Sequence, residues 1–231
     1  MKTLLITGAN RGIGLALTRA LLENGHSVMG TYRDAARSQT LLDLAAESNR
    51  LHALQADVTH AGDHTRLAEQ IDSLGGLDWV IHNAGVAAWG PLETESEERL
   101  LDTFRTNVVA PLLLTRALLP LLRRSQDAKV WMISSKMGSI TEAKRIPGPN
   151  YAYPISKAAL NMAGVQLARE LAPFKIPVFL QTPGWVRTDM GGESADLSVQ
   201  QCASALLKQF HSLSFADSGC FQEFDGSPLP F

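Results

Sequence analysis

A tyrosine and a lysine four residues apart, Tyr153 and Lys157, form the pair in this chain best suited to proton transfer. On a helix, residues four apart share a face, so the ammonium can approach the phenol. A free phenol titrates at about 10, and lowering its pKa to about 7 requires roughly 4 kcal/mol of selective stabilisation of the phenolate. One cation at about 4 Å contributes about that much at an effective dielectric of about 20, whereas burial opposes the shift. The spacing therefore predicts a tyrosine that exchanges protons with the help of a lysine.

The neighbouring residues constrain where this helix begins. Tyr151 is also close, but Ile155 stands at the position that a lysine would need to assist it. Pro154 lacks a backbone N–H, which is dispensable only in the first turn of a helix. We therefore expect the helix to begin near Tyr153, with Tyr151 in the preceding loop at the edge of the site. Packing of an aromatic ring beside a solvated lysine is the alternative interpretation of the pair.

Three glycines, Gly8, Gly12 and Gly14, follow the first apolar segment in the sequence LLITGANRGIG. Residues without Cβ let the backbone approach a pyrophosphate, and a helix N-terminus supplies free N–H groups and the positive end of a dipole. A glycine-rich turn without a ligand is the alternative. The predicted strand before the turn and the predicted helix after it favour a dinucleotide site.

The end of the second predicted strand indicates which dinucleotide is bound. An NAD site usually has a carboxylate there, whereas this chain has Tyr32 followed by Arg33, and Arg11 lies within the glycine loop. A 2′-phosphate carries roughly two negative charges, which guanidinium groups match through charge-assisted bonds. We therefore predict that NADP(H) is preferred. Asp34 keeps NAD(H) open as the alternative, as does solvation of both arginines.

Short apolar, β-branched segments alternate with helical segments along the chain, which predicts a parallel sheet covered on both faces. Because crossover connections are right-handed, we expect an α/β fold with a single Rossmann-like domain over residues 1–231. The sheet should be doubly wound, with about seven parallel strands and helices on both faces. Substrate loops are expected at about residues 136–152 and 185–198.

Three helical segments bear on the site. One is expected over residues 34–48, and a long one over about residues 96–124, bent or interrupted near Pro111 and Pro120. The helix with the tyrosine should end at about residue 171. The prolines and glycines that precede it predict an irregular loop.

Further motifs occur in a fixed order along the chain. They are Asp57 after the third strand, Asn83-Ala84-Gly85 after the fourth, Asn107 in the long helix, Ser135 after the fifth strand, the Tyr153 and Lys157 pair, and Pro183-Gly184 after the sixth strand. Together with the TGxxxGxG spacing of the glycines, this order resembles the short-chain dehydrogenase/reductase family. The stretches SSKMGSI, SKAALNM and PGWVRTDMGG are similar to the carbonyl-reductase-like subgroup that includes C-factor and sniffer.

The resemblance implies hydride transfer between a nicotinamide and a carbonyl or alcohol substrate. It implies that Ser135 holds the substrate oxygen, and since side chains alternate along a strand, only one of Ser134 and Ser135 can face the cleft. It also implies that Asn107 bends its helix and holds a water near the lysine, and a structural asparagine beside Pro111 is the alternative. The implied catalytic residues are Ser135, Tyr153, Lys157 and Asn107. The implied cofactor-binding residues are Gly8, Asn10, Arg11, Gly12, Ile13, Gly14, Arg33, Asp57, Val58, Asn83, Ala84, Gly85, Tyr153, Lys157, Pro183, Gly184, Val186 and Thr188.

Other side chains are assigned more broadly. His82 is interpreted as a packed histidine rather than a catalytic one. Four large side chains are expected either at an apolar mouth of the site or in the core: Trp89, Met137, Trp185 and Met190.

The composition limits the classes of partner. The formal net charge is -2 and the basic residues are scattered, which argues against nucleic-acid binding. No stretch is long and apolar enough to span a bilayer, and the two cysteines belong to no metal or redox motif. We expect a cytoplasmic protein with a small-molecule substrate and no metal. The segment NMAGVQLAREL is apolar on more than one helical face, which favours a homodimer or homotetramer.

A second function remains open at this point. A cofactor-binding signalling or regulatory protein of the same fold, with little turnover, would share the glycine loop and the sheet. The intact serine, tyrosine and lysine favour the enzyme.

Overall fold

Seven short strands form one parallel sheet in the computed structural model, which describes residues 1–146, 148 and 150–231. The strands are β1 (Thr3–Ile6), β2 (Ser27–Tyr32), β3 (Leu51–Gln55), β4 (Trp79–His82), β5 (Lys129–Ile133), β6 (Val178–Gln181) and β7 (Phe221–Gln222). Their order across the sheet is β3-β2-β1-β4-β5-β6-β7, and each neighbouring pair is parallel. This topology confirms the predicted fold class.

Helices cover both faces of the sheet. They are α1 (Gly12–Glu23), α2 (Gln39–Glu47), α3 (Ala61–Ser73), α4 (Glu97–Phe104), α5 (Ala110–Leu122), α6 (Ile140–Ala143), α7 (Ala152–Leu171) and α8 (Val199–Ser212). Alternate residues of each strand point to opposite faces, so Leu5 packs into one core cluster with α3, α5 and α7, and Leu4 packs into the other with α1 and α8. Within the described ranges, no helix combines the length and apolar character needed to cross a bilayer.

The strand order reverses at β1, which pairs with β2 on one side and β4 on the other. The connections that leave β1 and β4 therefore diverge to opposite faces and open a crevice at the carboxyl ends of these strands. This is where parallel α/β sheets bind their ligands. The glycine loop follows β1, and the Asn83-Ala84-Gly85 turn follows β4, so both border the crevice.

The long helix predicted over residues 96–124 is interrupted next to Pro111, as expected, but not at Pro120. Helix α4 passes into a π-helical turn at Arg105–Val109 before α5 begins. Pro111 lies just after this turn, at the start of α5, whereas Pro120 lies inside α5 without ending it. In a continuous α-helix, the N–H of residue 111 would donate to the Asn107 carbonyl, but Pro111 has no N–H. The wider π-helical turn therefore costs no hydrogen bond at this position.

Two other predicted elements differ in detail. The helix predicted over residues 34–48 is divided into a 3₁₀ turn at Ala35–Arg37 and helix α2. The Asp34 carboxylate accepts a hydrogen bond from the Ala36 N–H at 3.0 Å and thereby caps a short turn of its own. The segment predicted as an irregular loop contains a 3₁₀ turn at Lys136–Gly138 and helix α6. Pro147 and Pro149 of that segment lie outside the described residues.

Helix α7 begins at Ala152, so Pro154 lies in its first turn, as the sequence requires. Tyr151 occupies the N-cap position. Tyr153 and Lys157 consequently share the face of α7 that lies against the sheet.

Candidate active site

A cleft of about 470 Å³ lies at the carboxyl ends of the central strands. Many predicted site residues line it: Gly8, Asn10, Arg11, Gly12, Ile13, Gly14, Arg33, Asp57, Val58, Asn83, Ala84, Gly85, Tyr153, Lys157, Pro183 and Thr188. The remaining predicted residues lie outside its lining: Ser135, Asn107, Gly184 and Val186. The structure therefore brings the glycine loop and the tyrosine-lysine pair to one cavity.

The glycine loop requires residues without Cβ for reasons internal to the protein. Gly8 and Gly12 have φ values of 65° and 55°, in the left-handed region that other residues avoid. A Cβ on Gly14 would lie 2.1 Å from the Gly8 carbonyl oxygen. The Asn83 amide donates to the carbonyls of Thr7 (3.0 Å) and Gly8 (3.1 Å), so this side chain braces the loop from the β4 side.

Cationic side chains line one end of the cleft. Arg33 and Arg37 both border it, and the Arg33 side chain is 73% exposed. The Asp34 carboxylate also borders it but caps its own turn. Asn10 donates to the Arg37 carbonyl at 3.1 Å, which ties the glycine loop to this segment. Exposed guanidinium groups are the donors that suit a phosphate, so the residues present fit a phosphorylated ribose.

Asp57 borders the same end of the cleft. Burial works against its ionisation, but hydrogen bonds from the Thr59 hydroxyl and N–H, together with the Arg33 guanidinium 4.0 Å away, hold the pKa of the carboxyl below its usual value. The carboxylate is thus an anchored, ionised acceptor beside the arginine.

Arg11 forms an ion pair that the sequence did not predict. Its guanidinium bonds to the carboxylate of Asp189, in the segment after β6. In addition, a Cβ on Gly12 would lie 3.4 Å from Thr188 Cγ2. Arg11 therefore joins the glycine loop to the segment after β6, and its charge is paired there with the Asp189 carboxylate.

Tyr153 and Lys157 are buried at the other end of the cleft, with residue exposures of 9% and 5%. Lys157 Nζ lies 5.6 Å from the centroid of the Tyr153 ring and donates to the Ile133 carbonyl at 2.8 Å. The carboxyl end of β5 thereby fixes the ammonium next to the phenol.

Burial dominates the electrostatics of this pair. It raises the pKa of the Tyr153 phenol to about 12, against a smaller lowering by a hydrogen bond with the Ser135 side chain. Burial also lowers the pKa of Lys157 to about 8. The sequence predicts that the lysine lowers the pKa of the phenol, but the protein groups alone do not produce this lowering. The reason is that desolvation disfavours the charged forms of both side chains.

The two serines after β5 have different hydrogen bonds. Ser134 is buried, and its hydroxyl donates to Asn161 Oδ1 at 2.6 Å. The Ser135 oxygen accepts from the Met137 N–H at 3.2 Å, which leaves its proton free for another acceptor. Ser134 lines the cleft whereas Ser135 does not. Of the two hydroxyls, that of Ser135 is the one that lies at hydrogen-bonding range of Tyr153.

Asn107 connects two parts of the site. Its amide accepts from the Val86 N–H and donates to the Val86 carbonyl, both at 2.9 Å, and it also donates to Ser156 Oγ at 2.9 Å. The Ser156 hydroxyl in turn donates to the Tyr153 carbonyl at 2.7 Å. The π turn aims this side chain at the segment after β4, so Asn107 braces that segment against α7.

The segment after β6 contributes both structure and lining. Gly184 has a φ of 76°, and a Cβ there would lie 2.8 Å from atoms of both Leu197 and Phe224, so glycine is needed for the turn. Val186 is buried at 4% exposure and packs into the core cluster next to α1 and α8. The Thr188 hydroxyl donates to the Val186 carbonyl at 3.3 Å. Of these three predicted residues, Thr188 is the one that reaches the cleft.

The apolar mouth is partly present. Trp89 is 49% exposed, and its ring lies 5.3 Å from the ring of Tyr153 at an interplanar angle of 49°. Met190 lines the cleft, and Trp185 is 53% exposed. His82 is buried as interpreted, with Nε2 2.8 Å from Thr115 Oγ1.

The cleft is also lined by residues that no sequence motif indicates: Thr31, Arg37, Ala56, Thr59, Val86, Thr106, Ile133 and Asp189. Most of them lie next to a predicted residue at the carboxyl end of a strand. Because parallel α/β sheets bind ligands at these ends, the position in the sequence is itself a signal for a lining residue. Arg37 follows Arg33 by four residues, in the same segment after β2. The approach of Asp189 to Arg11 left no sequence signal, because 178 residues separate them.

Comparisons with known proteins agree with this geometry. Residues 2–197 match the family model described as short chain dehydrogenase. The chain belongs to the short-chain dehydrogenase family. It is therefore an oxidoreductase that uses a nicotinamide dinucleotide, which confirms the resemblance found in the sequence.

Individual relatives place this dehydrogenase in the carbonyl-reductase and sniffer-like subgroup. It is 37% identical to C-signal from Myxococcus xanthus over 158 residues, which cover 68% of this chain and 94% of the relative. Among solved structures, it is similar to the carbonyl reductase Sniffer of D. melanogaster, with a TM-score of 0.95, 34% identity and full coverage of both chains. It is equally similar to an NADPH-bound carbonyl reductase from chicken fatty liver, with a TM-score of 0.95, 33% identity and coverage of 100% and 99%.

Proposed function

We propose that this dehydrogenase transfers a hydride between NADPH and a carbonyl substrate, or the reverse with an alcohol. The observation that supports this most is the buried Tyr153 phenol, which has the Ser135 side chain at hydrogen-bonding range and the Lys157 ammonium 5.6 Å from the centroid of its ring. Tyr153 and Lys157 line a cleft that Arg33 and Arg37 also border. Few reactions other than carbonyl and alcohol redox chemistry need a proton donor, an oxygen-binding hydroxyl and a dinucleotide cleft together.

The protein groups have distinct roles in this proposal. When bound, NADPH supplies the hydride to the carbonyl carbon. The free O–H of Ser135 donates to the substrate oxygen as negative charge develops there. Tyr153, which its raised pKa keeps protonated at neutral pH, donates the proton to that oxygen. Lys157 supplies positive charge beside the phenol, and Asn107 holds the segment after β4 against the helix that carries both residues.

The preference for NADPH is supported by charge. Arg33 and Arg37 border the cleft, while the Asp34 carboxylate, which could bind a ribose diol instead, already accepts the Ala36 N–H. The chicken carbonyl reductase named above was solved with NADPH. Both observations favour a 2′-phosphate at this end of the cleft.

A test is NADPH oxidation over a panel of aldehydes, ketones and quinones with wild type and Tyr153→Phe. We expect turnover of at least one carbonyl by wild type and a loss of roughly a hundredfold or more in the variant, since general acid catalysis contributes about 10²–10⁴-fold.

Tyr151→Phe is a matched control, because it removes the same hydroxyl two residues away, at an exposed N-cap. It should turn over like wild type. Wild-type turnover by Tyr153→Phe on an accepted carbonyl would refute the proposal.

A signalling or regulatory function is the second candidate, and the relative named C-signal is the observation that favours it. A chain with this role would bind NADPH but oxidise it on no member of the panel. Cofactor binding without turnover in the same assay would therefore favour this candidate over the enzyme.

A further inference from the structure

The side chain of Asn161 links the two ends of the short turn that carries Ser135. Asn161 lies on α7, eight residues after Tyr153, and is buried at 2% exposure. The Ser134 hydroxyl donates to Asn161 Oδ1 at 2.6 Å, and Asn161 Nδ2 donates to the Gly138 carbonyl at 3.3 Å. One amide thus holds the residue before Ser135 and a residue three positions after it.

The chemistry of these partners fixes how the amide is oriented. A backbone carbonyl can only accept, so Nδ2 must face Gly138 and Oδ1 must face Ser134. The Ser134 hydroxyl then has to donate its proton to Asn161. Ser135 takes no part in this pair of hydrogen bonds: its oxygen accepts from the Met137 N–H, and its side chain is at hydrogen-bonding range of Tyr153.

The turn also rests directly on the helix. A Cβ on Gly138 would lie 2.7 Å from the Lys157 carbonyl carbon and 2.8 Å from its oxygen, so the two backbones are in close contact. The Gly138 N–H donates to the Ser135 carbonyl at 2.8 Å and closes the turn. Any shift of this turn relative to α7 therefore changes the distance between Ser135 and Tyr153.

We infer that Asn161 is a positioning residue that sets the place of the Ser135 hydroxyl relative to Tyr153. This inference depends on the proposed hydride transfer. Both hydrogen-bond partners of the Asn161 amide belong to the segment after β5, and neither lies in the glycine loop or beside the arginines. Loss of the amide should therefore affect the chemical step and leave those contacts with the dinucleotide in place. Misplacement of a reacting group by about 1 Å can cost roughly a hundredfold in rate.

The first test compares Asn161→Leu with the double variant Ser134→Ala/Asn161→Leu. We expect kcat of the single variant to fall roughly tenfold to a hundredfold, with the Kd for NADPH from fluorescence titration unchanged. The double variant replaces both bonded groups by apolar ones, so it should regain thermal stability. Its kcat should nevertheless stay low, because the turn is still not held. Recovery of kcat together with stability would overturn the inference and leave Asn161 a purely structural residue.

The second test uses Asn161→Asp and its pH profile. A protonated carboxyl can accept from Ser134 and donate to the Gly138 carbonyl, as the amide does, whereas a carboxylate can only accept. Relative to wild type, this variant should be most active at acid pH and lose activity as the carboxyl ionises. Asn161→Leu should show no such acid recovery. A constant ratio to wild type at all pH values would contradict the inference.

Two further variants separate failure of the inference from failure of the proposed function. Tyr153→Phe reports on the function itself in the same assay. Thr115→Val removes a hydroxyl of comparable burial on α5, away from the turn, and controls for general loss of packing. If Tyr153→Phe is inactive and Asn161→Leu has wild-type kcat, the inference fails alone. If Tyr153→Phe is active, the proposed function fails.

Discussion

Tyr153 and Lys157 are buried groups whose charges depend strongly on their surroundings. Burial lowers the pKa of Lys157 to about 8 while its ammonium donates to the Ile133 carbonyl. The positive charge beside the phenol is therefore present below that pH and is lost above it. In the proposed mechanism, the group that assists the tyrosine is therefore itself titratable in an accessible pH range.

A pH profile tests this behaviour. We expect kcat/KM for NADPH, which reports on the free enzyme, to decline above about pH 8 as Lys157 loses its proton. Lys157→Arg keeps its charge throughout this range. Its activity should be lower, but without a decline that begins at about pH 8. The same decline in the arginine variant would assign it to another group.

Cofactor choice is also a matter of single residues. Arg33→Ala should reduce kcat/KM for NADPH relative to NADH by roughly tenfold to a hundredfold, since a hydrogen bond to a charged group contributes about 1.5–3 kcal/mol. Steady-state rates with each cofactor measure this ratio.

Arg19→Ala, at an exposed position of α1, is the control and should leave the ratio unchanged. An equal loss with both cofactors in Arg33→Ala would refute the preference for NADPH.

At the scale of elements, the distance between α7 and the sheet is set by a glycine. A Cβ on Gly164 would lie 2.5 Å from Leu180 Cδ2 on β6, so the helix is packed as closely as glycine allows. Gly164→Ala should therefore lower the free energy of unfolding by about 1–3 kcal/mol through overpacking. Urea denaturation at constant pH measures the difference.

Gly62→Ala is the matched control. Gly62 also lies in a helix, α3, but a Cβ there would meet no heavy atom of the described residues within 4 Å. The substitution should therefore stabilise the protein by about 0.5–1 kcal/mol, because alanine loses less backbone entropy than glycine in a helix. Equal effects of the two substitutions would mean that α7 can move away from β6 without cost.

The elements also show what the sequence could reveal. The strands and the helix with the tyrosine followed from apolar patterning and from the constraint on Pro154, because both depend on local geometry. Helix α6 was missed although Ser139 and Glu142 have the spacing of a capping box, and the Ser139 oxygen accepts from the Glu142 N–H. The nearby prolines and glycines outweighed that signal.

Other features depend on contacts between distant parts of the chain. The π turn places the Asn107 amide at hydrogen-bond distance from the Val86 backbone, and the Asn161 amide joins α7 to the turn after β5. In both cases a side chain bonds to backbone groups that only the tertiary structure brings near. The sequence identifies such residues as polar and helical, but not what they hold.

For the whole molecule, acid stability should depend on His82. Burial lowers the pKa of this histidine to about 3, with a smaller contribution from the charge of His64. In the unfolded chain His82 binds a proton at about pH 6.5, whereas in the folded chain it stays neutral down to about pH 3. The free energy of unfolding therefore decreases as the pH falls from about 6.5 towards 3. The loss is on the order of 1.4 kcal/mol per pH unit in that window.

His82→Asn should flatten this dependence in urea titrations at successive pH values, whatever its effect on stability at neutral pH. His60→Asn, at an exposed position, should not change the slope. An unchanged slope in His82→Asn would assign the acid sensitivity to carboxylates instead.

Assembly is also a property of the whole molecule. Exposed apolar side chains lie on the neighbouring helices α4 and α7: Leu101 at 53%, Phe104 at 38%, Ile155 at 52% and Met162 at 62% exposure. Such a patch favours contact with a second copy. We expect sedimentation velocity at micromolar concentration to show a homodimer or homotetramer, and Met162→Glu to weaken it. A monomer in wild type would refute this expectation.

The cleft is solvent-exposed beside Arg33 and buried beside Tyr153. The Arg33 side chain is 73% exposed, whereas Tyr153 is 9% exposed and embedded in the interior. A substitution of Arg33 should disturb almost no packing, since substitutions of exposed side chains usually alter the free energy of unfolding by less than about 0.5 kcal/mol. Coenzyme choice can therefore drift in an evolving lineage, or be redirected in the laboratory, without refolding the parts of the molecule on which the chemistry depends.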